Sequence, residues 1–508
     1  MVLQKEPFIK LRANDALSQY RFEPCPASRE FITFNNLQRF MSMTESLHPP
    51  PRGLVIAGLC GGSGKSVIAV GLTAALTEQG IRVAPFKKGP DYIDAGWLQL
   101  AANRPCYNLD PYLMATETIR NSCQEHAAGL DLALIEGNRG LFDGVNAAGS
   151  YSTAELAAIV ALPIILVVDC TKTTRTVAAL LLGCQQMGQG ITISGVILNR
   201  IGSSRHQSII RQAVEEYTDI KVLGAMPRLR KDIFPQRHIG ITPCPEFAGA
   251  EQAVKELSQL INQHIDLEAV LCQAKELTLP QPSQNLQHQR ETAEPVTIGI
   301  LKDAAFQFYY PENLRALELC GAHLHEIDAL STEVLPDLDG LYIGGGFPEN
   351  SVQALSNNVT FRRSLKERIE QGLPVYAECG GLLYLGRAME VNGVSHPLAD
   401  IFPVSFRMEK RPQAHGYTSL TATDTNPVYP AGTKIRGHEF RYSKVVDWHG
   451  KATELAFAME RGVGFAEGGD GLVYKNCLAL YTHIHALSTP EWAPLFVSLV
   501  RRVKGATP

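Results

Sequence analysis

Two α/β domains in tandem, each built on a mainly parallel sheet, are what this sequence predicts, and three observations carry that expectation. Its 508 residues are too many for one hydrophobic core. From Gly53 onward short apolar runs alternate with longer amphipathic ones, the rhythm of βαβ units. That rhythm stops at Pro280–Pro295 (PQPSQNLQHQRETAEP), a Gln-rich stretch with almost nothing to bury, and then resumes.

The elements follow in order. Met1–Pro51 has no clear period and ends in Pro49-Pro50-Pro51. Residues 1–50 therefore read as an N-terminal extension, either disordered or upstream of a true start at Met43. Strands are expected at Leu54–Gly58, Arg82–Phe86, Leu132–Glu136, Ile164–Asp169, Ser194–Asn199 and Val222–Met226, with helices such as Ser66–Glu78 and Thr153–Val160 between them. This gives a first domain over 51–275 and a linker over 276–295. The second domain, 296–508, opens with strands Val296–Leu301, Gly340–Ile343 and Leu373–Ala377 and closes in a β-rich region from about Gly416 to His485. No internal repeat is present.

Composition narrows the class. With 45% hydrophobic and 19% charged residues, 43 Gly and 30 Pro, the chain is an ordinary soluble α/β type. A net charge of −4 leaves no basic stripe for nucleic acid or anionic lipid, so a small-molecule substrate is expected. The 11 cysteines include no C-x-x-C pair, which points to reduced thiols in a cytosol rather than disulfides or zinc. No apolar run approaches the roughly 20 residues that span a bilayer, and the N-terminus lacks a signal-peptide pattern. A cytoplasmic location is the expectation.

The first motif is a phosphate-binding loop. Leu54–Gly58 runs into Gly58-Leu-Cys-Gly-Gly-Ser-Gly-Lys65-Ser66, followed by a helix. The backbone N–H groups of Gly58, Gly61, Gly62 and Gly64 can curl around phosphate oxygens at a helix N-terminus. Lys65 would reach the β- and γ-phosphates and the Ser66 hydroxyl would ligate Mg²⁺. The loop is a variant, with five residues between Gly58 and Gly64. Cys60 stands where partition-type ATPases carry an extra lysine, which argues against a dimerising switch ATPase.

Acidic residues cluster at the expected strand ends. The second strand leads into Lys87-Lys88-Gly-Pro-Asp91-Tyr92-Ile-Asp94, and Glu136 ends Leu132–Glu136 before Gly-Asn-Arg139-Gly-Leu-Phe-Asp143. Ligands gather at the carboxyl ends of such strands. Glu136 is a candidate Mg²⁺ ligand beside the loop, and Asp143 could position a metal or an acceptor. Turn and capping roles are the competing reading for all four carboxylates. Asn199 could hydrogen-bond adenine or simply end its strand.

The second motif is a cysteine elbow. Leu373–Ala377 leads into Glu378-Cys379-Gly380-Gly381 and a helix, the tight turn that presents a nucleophile at a helix N-terminus. A helix dipole and a nearby imidazole would activate the thiol. Gly345 and Gly346, in Ile343-Gly-Gly-Gly-Phe-Pro-Glu349, would join Gly380 in an oxyanion hole. Leu478–His485 reads as a strand with His483 and His485 on one face, either of which could be the base.

The loop around Lys65, KKGPDYIDAGW, EGNRGLFDG, GGGFPEN and AECGGLLYL occur in one order, and together they closely resemble the cobyrinate a,c-diamide synthase family over about Gly53 to Arg502. The resemblance implies a P-loop, dethiobiotin-synthetase-like domain followed by a class I-like glutamine amidotransferase domain. It implies ATP- and Mg²⁺-dependent phosphorylation of carboxylates on a tetrapyrrole, with ammonia taken from L-glutamine. By motif, Lys65, Ser66 and Glu136 would serve ATP and Mg²⁺. Asp91, Tyr92, Asp94 and Asp143 would surround the acceptor, Cys379 would be the nucleophile and His483 its base. A homodimer is one further expectation. Asn138-Arg139 replaces a small apolar pair, so Arg139 could meet an extra acceptor carboxylate or phosphate. The H-x-E pattern common in class I amidotransferases is His483-Ile484-His485 here, which leaves the orienter of His483 open.

Three other readings compete. Relatives apply the same chemistry to sirohaem or nickel-sirohydrochlorin. A P-loop regulatory ATPase with a non-catalytic second half is disfavoured by Cys60 and by the intact elbow. A dethiobiotin-type carboxylase needs no glutamine domain.

Overall fold

The structure is a computed structural model that describes residues 50–188, 190–229, 236–237, 240–277 and 294–506. The proposed extension and most of the proposed linker lie outside the described residues. In the first half the sheet strands are β1 (Arg52–Gly58), β2 (Val83–Lys88), β3 (Tyr107–Leu109), β4 (Leu132–Glu136), β5 (Ile164–Asp169), β6 (Ile193–Ile201) and β7 (Lys221–Pro227). They lie in the order β3-β2-β4-β1-β5-β6-β7, all parallel, and the short strand Lys275–Glu276 pairs antiparallel with β1. Leu54–Ala57 are wholly buried, as expected of a central strand with helices on both faces. Helix α1 (Lys65–Glu78) leaves β1, and α2 (Tyr92–Ala102) follows β2.

Two differences from the sequence reading bear on the site. Strand β2 runs two residues further than expected and takes in Lys87 and Lys88, both buried. Successive strand side chains point to opposite faces, so the two ammonium groups serve different surroundings. Strand β3 was not expected at all, being only three residues long.

The second half has a six-stranded sheet. Its strands β8 (Val296–Leu301), β9 (Ala322–Ile327), β10 (Gly340–Ile343), β11 (Val375–Glu378), β12 (Leu472–Tyr474) and β13 (Cys477–Leu480) lie in the order β9-β8-β10-β11-β13-β12. The first five strands of that order are parallel. The β-rich region begins earlier than expected, at Ala388–Val391, and includes the antiparallel pair Ala414–Ala422 and Lys434–Arg441. Leu478–His485 is not one strand. The buried Asp470 carboxylate accepts the N–H groups of Tyr481 and Thr482, both at 3.0 Å, and turns the chain off the sheet after Leu480. His483–Ile484 then pair with Gly437–His438 in the other sheet.

The halves cluster as one compact unit, and aromatic contacts join them. The Tyr92 ring stacks on Phe308 at 5.0 Å, and Tyr112 stacks on Tyr417 at 4.2 Å. Such pairs add about 0.5–1.5 kcal/mol each beyond their area. No helix among the described residues is long and apolar enough to cross a membrane.

Candidate active site

The loop between β1 and α1 has the geometry that a phosphate site needs. Gly64 precedes the helix at φ 92°, in the left-handed region that favours glycine. A Cβ there would also lie 2.2 Å from Asn199 Nδ2. Asn199, expected near adenine, braces this loop by donating Nδ2–H to the Ser63 carbonyl at 2.8 Å, while its Oδ1 accepts from Arg200 N. One N–H of its amide remains for another acceptor. Lys65 is buried; desolvation pushes its pKa down, and Lys87 adds to that. An anion beside it would reverse both effects.

Beside the loop lies a buried charge network that the sequence did not announce. Lys87 Nζ sits 2.7 Å from Asp94, 3.0 Å from Glu136 and 3.9 Å from Asp91. Burial opposes the charge on Lys87, but these carboxylates, Asp94 foremost, hold its pKa above the ordinary range. Ser66 Oγ lies 2.8 Å from Glu136 Oε1 and 3.1 Å from Asp94 Oδ2, its one proton shared between the two carboxylates. Burial raises Glu136 to about 7 against the pull of Lys87, and burial together with Asp94 raises Asp91 to about 6. Asp94 goes the other way: despite burial, Lys87 keeps it below its usual range.

Glu136 Oε2 is buried and has no partner. An orphaned carboxylate oxygen next to a hydroxyl and a second carboxylate is hard oxygen chemistry, which fits Mg²⁺. Among the described residues no group of three or more His, Cys, Asp or Glu forms a metal cage.

The other acidic candidates shape loops as well. Asp91 caps α2, accepting from Ile93 N and Asp94 N at 3.0 Å each. Asp143 accepts Gly140 N at 2.9 Å. Arg139 occupies the left-handed region at φ 51°, an uncommon setting for a non-glycine residue.

Cys379 sits between β11 and the short helix Gly380–Leu385 with φ 46° and ψ −96°. Such a conformation costs about 1–3 kcal/mol and persists where surrounding structure enforces it. Cys379 N donates to Leu480 O at 2.8 Å, and Cys379 O accepts from Leu383 N at 3.0 Å. The Gly346 amide nitrogen lies 3.0 Å from where a Gly380 Cβ would be, so these two backbone segments adjoin as an oxyanion hole requires. Gly345 also makes room at the site. A Cβ on it would lie 2.3 Å from His483 Cε1, so its missing side chain makes room for the imidazole.

His483 is buried beside Cys379, both on the cavity wall, while the thiol itself reaches the Phe440 carbonyl at 4.0 Å. Burial lowers its pKa, but the charges of Cys379 and then Glu378 outweigh that and carry it up to about 10. Glu378, wholly buried, is the carboxylate that the sequence reading lacked. Its Oε2 lies 3.5 Å from His483 Nδ1 and accepts the Tyr342 hydroxyl at 3.2 Å, while Oε1 accepts Ile484 N at 3.2 Å. At 3.5 Å the imidazole contact is an ion pair rather than a tight hydrogen bond. His485, read as an alternative base, points elsewhere: its Nε2 faces Glu312 at 3.5 Å, and its ring lies against Tyr310. The short strand His483–Ile484 ends before His485, so the two imidazoles do not share one strand face.

One neighbour was missed, and a second was expected in another role. His438 stacks on His483 at 4.9 Å and shares a hydrogen bond between its Nε2 and the Tyr310 hydroxyl at 2.8 Å. Burial and His483 push its pKa well down, so it stays neutral beside its charged neighbour. Tyr92, expected among acceptor groups, also packs its ring 5.5 Å from His483, with its hydroxyl buried and unpartnered.

The Cys379 centre and the loops that follow β2 and β4 line one cavity of about 530 Å³; Lys65, Ser66 and Glu136 are not among its lining residues. Cys379 and His483 line it from the second half, and Asp91, Tyr92, Arg139 and Asp143 line it from the first. The thiol of Cys379 therefore faces the same space as Asp91, Tyr92, Arg139 and Asp143.

Comparisons with known proteins match both halves. A CobQ/CobB/MinD/ParA nucleotide binding domain matches residues 54–239, and a CobB/CobQ-like glutamine amidotransferase domain matches residues 297–491. A protein of Magnetococcus marinus named cobyrinate a,c-diamide synthase is 41% identical over 449 residues, covering 87% of this chain and 96% of its own length. Proteins of the same name from Archaeoglobus fulgidus and Dehalococcoides mccartyi are 36% and 37% identical, covering 89% and 88% of this chain and 98% and 97% of their own lengths.

Proposed function

This chain belongs to the cobyrinate a,c-diamide synthase family, and on that premise we propose that it is a carbon–nitrogen ligase that amidates two carboxylates of cobyrinate with ATP and glutamine. The observation that carries the reading is the single cavity shared by Cys379, His483, Asp91 and Asp143.

In the first half, the backbone amides of the phosphate loop and Lys65 would hold the phosphates of ATP, and Ser66 and Glu136 would hold Mg²⁺. The metal supplies charge neutralisation at the transferring phosphoryl group. Lys87 fixes Asp94 and Glu136 so that both face Ser66. The acceptor carboxylate oxygen takes the γ-phosphoryl group, ADP leaves, and the acyl phosphate remains near Asp91 and Asp143.

In the second half, the Cys379 thiolate attacks the side-chain amide carbon of glutamine. The N–H groups of Gly346 and Gly380, with that of Gly345 adjacent, would stabilise the oxyanion. His483 would give its proton to the departing nitrogen, releasing ammonia and leaving a glutamyl thioester that water cleaves to glutamate. Ammonia attacks the acyl carbon and phosphate leaves, giving the amide. The domain limits 51–275 and 296–508 and an assembly of two copies belong to the same reading.

The test is to supply ATP, Mg²⁺ and glutamine with cobyrinate, sirohaem or nickel-sirohydrochlorin in turn. Two successive acid-to-amide mass changes on cobyrinate, each matched by one phosphate, are expected. Amidation of another macrocycle with cobyrinate untouched would overturn the acceptor assignment.

A further inference from the structure

The same cavity carries cations that the chemistry above leaves unused. Lys88, on β2, is 5% exposed and lines the cavity. Among the described residues its ammonium makes no ion pair and no hydrogen bond. The acid acting on it most strongly, Asp110, is committed elsewhere. Asp110 Oδ1 accepts the N–H groups of Tyr112 and Leu113 at 2.7 and 3.0 Å, and Oδ2 accepts the Tyr417 hydroxyl at 2.6 Å. Burial lowers the Lys88 pKa, and Lys87 and Arg139 lower it further. A buried ammonium without a counter-charge is costly, and an incoming anion removes that cost.

Two more cations face the same space. Arg139 lies on the wall in its left-handed conformation, and no side-chain hydrogen bond or ion pair restrains it among the described residues. Arg461, contributed by the second half, is held over the Tyr112 ring at 5.2 Å and likewise has no carboxylate partner among the described residues. Both are exposed at the cavity. Three unpaired cations from two halves of the chain thus converge on one space.

We propose that Lys88, Arg139 and Arg461 form a cradle for the carboxylates of the acceptor that are not reacting, and so select a polyanionic macrocycle and fix which acid faces the phosphate loop. This rests on the proposed function and names the part of the cavity that recognises the acceptor. The carboxylates it holds are untouched by the reaction, but each amidation lowers the negative charge of the macrocycle by one, which weakens its attraction to the cradle and favours product release.

The experiment is equilibrium binding of cobyrinate to the full chain at low and high salt, followed by the corrinoid absorbance. Parent protein should bind with a dissociation constant that rises with salt. Lys88→Met should weaken binding about tenfold, and Arg139→Gln and Arg461→Gln each about fivefold, with a shallower salt dependence. Lys88→Arg should restore most of the loss, and unfolding midpoints check that each variant is folded. Parent binding with unchanged affinity in folded variants would overturn the cradle and leave the proposed function standing. A parent that binds no cobyrinate at all would overturn the acceptor assignment and the cradle together.

Discussion

Lys87→Met is expected to abolish ATP-dependent amidation and to destabilise the first half. Lys87 is 1% exposed and is the counter-charge for Asp94 and Glu136 at 2.7 and 3.0 Å. Removing one member of a buried ion pair leaves uncompensated charge, typically at a cost of about 3–5 kcal/mol. It also frees Asp94 and Glu136 from the positions in which they meet Ser66. Losing a preorganised group at a phosphoryl site commonly lowers kcat by about 10²–10³. Phosphate release should fall by that much or more, and the unfolding midpoint should drop. Adding Glu136→Gln to Lys87→Met should recover part of the stability and none of the activity. A single variant with parental phosphate release would contradict the role given to Lys87.

Glu378→Gln is expected to cost up to about 10⁴ in glutamine hydrolysis, the loss seen when the acid that orients a catalytic imidazole becomes an amide. The amide keeps the shape of the side chain and can still accept Ile484 N, but it loses the charge opposite His483 Nδ1. The pH dependence gives a second readout. His483 has its folded pKa raised to about 10 by Cys379 and Glu378 against burial. Its proton therefore stabilises the fold fully below the unfolded value near 6.5, and that contribution fades as pH rises toward 10. Without the Glu378 charge the upper end of the window moves down, so the alkaline limb of glutamine hydrolysis should shift to lower pH. A variant with parental rate and an unmoved limb would remove Glu378 from the account.

Features written into consecutive residues were legible in the sequence. The phosphate loop declares itself because its glycines, Lys65 and Ser66 are all local, and the turn at Cys379 is equally local. The central parallel strands were readable for the same reason, since continuous apolar runs such as Leu132–Ile135 mean burial on both faces. Features that depend on distant contacts were not. Nothing beside Lys87 says that a strand-end lysine is buried, because Glu136 balances it from a neighbouring strand. Glu378 looks like a strand-end acid until the turn at Asp470 brings His483 opposite it. That turn also explains why Leu478–His485 read as one strand, since apolar alternation cannot reveal a carboxylate that captures two backbone amides. Strand β9, Ala322–Ile327, was missed because its middle is exposed and polar, as edge strands often are. One signal was available: an acid immediately before the candidate nucleophile, where no H-x-E pattern supplied an orienter.

In the proposed reaction, nitrogen released at the Cys379 centre meets a carboxylate activated at the Lys65 centre. Amide formation on cobyrinate by Cys379→Ala, supplied in parallel with glutamine or with an ammonium salt, tests that directly. The expected result is no amide from glutamine, ATP-dependent amide from ammonium, and one phosphate per amide in the second arm. Glutamine-driven amidation at the parental rate by this variant would contradict the account, as would a folded variant that ammonium fails to rescue.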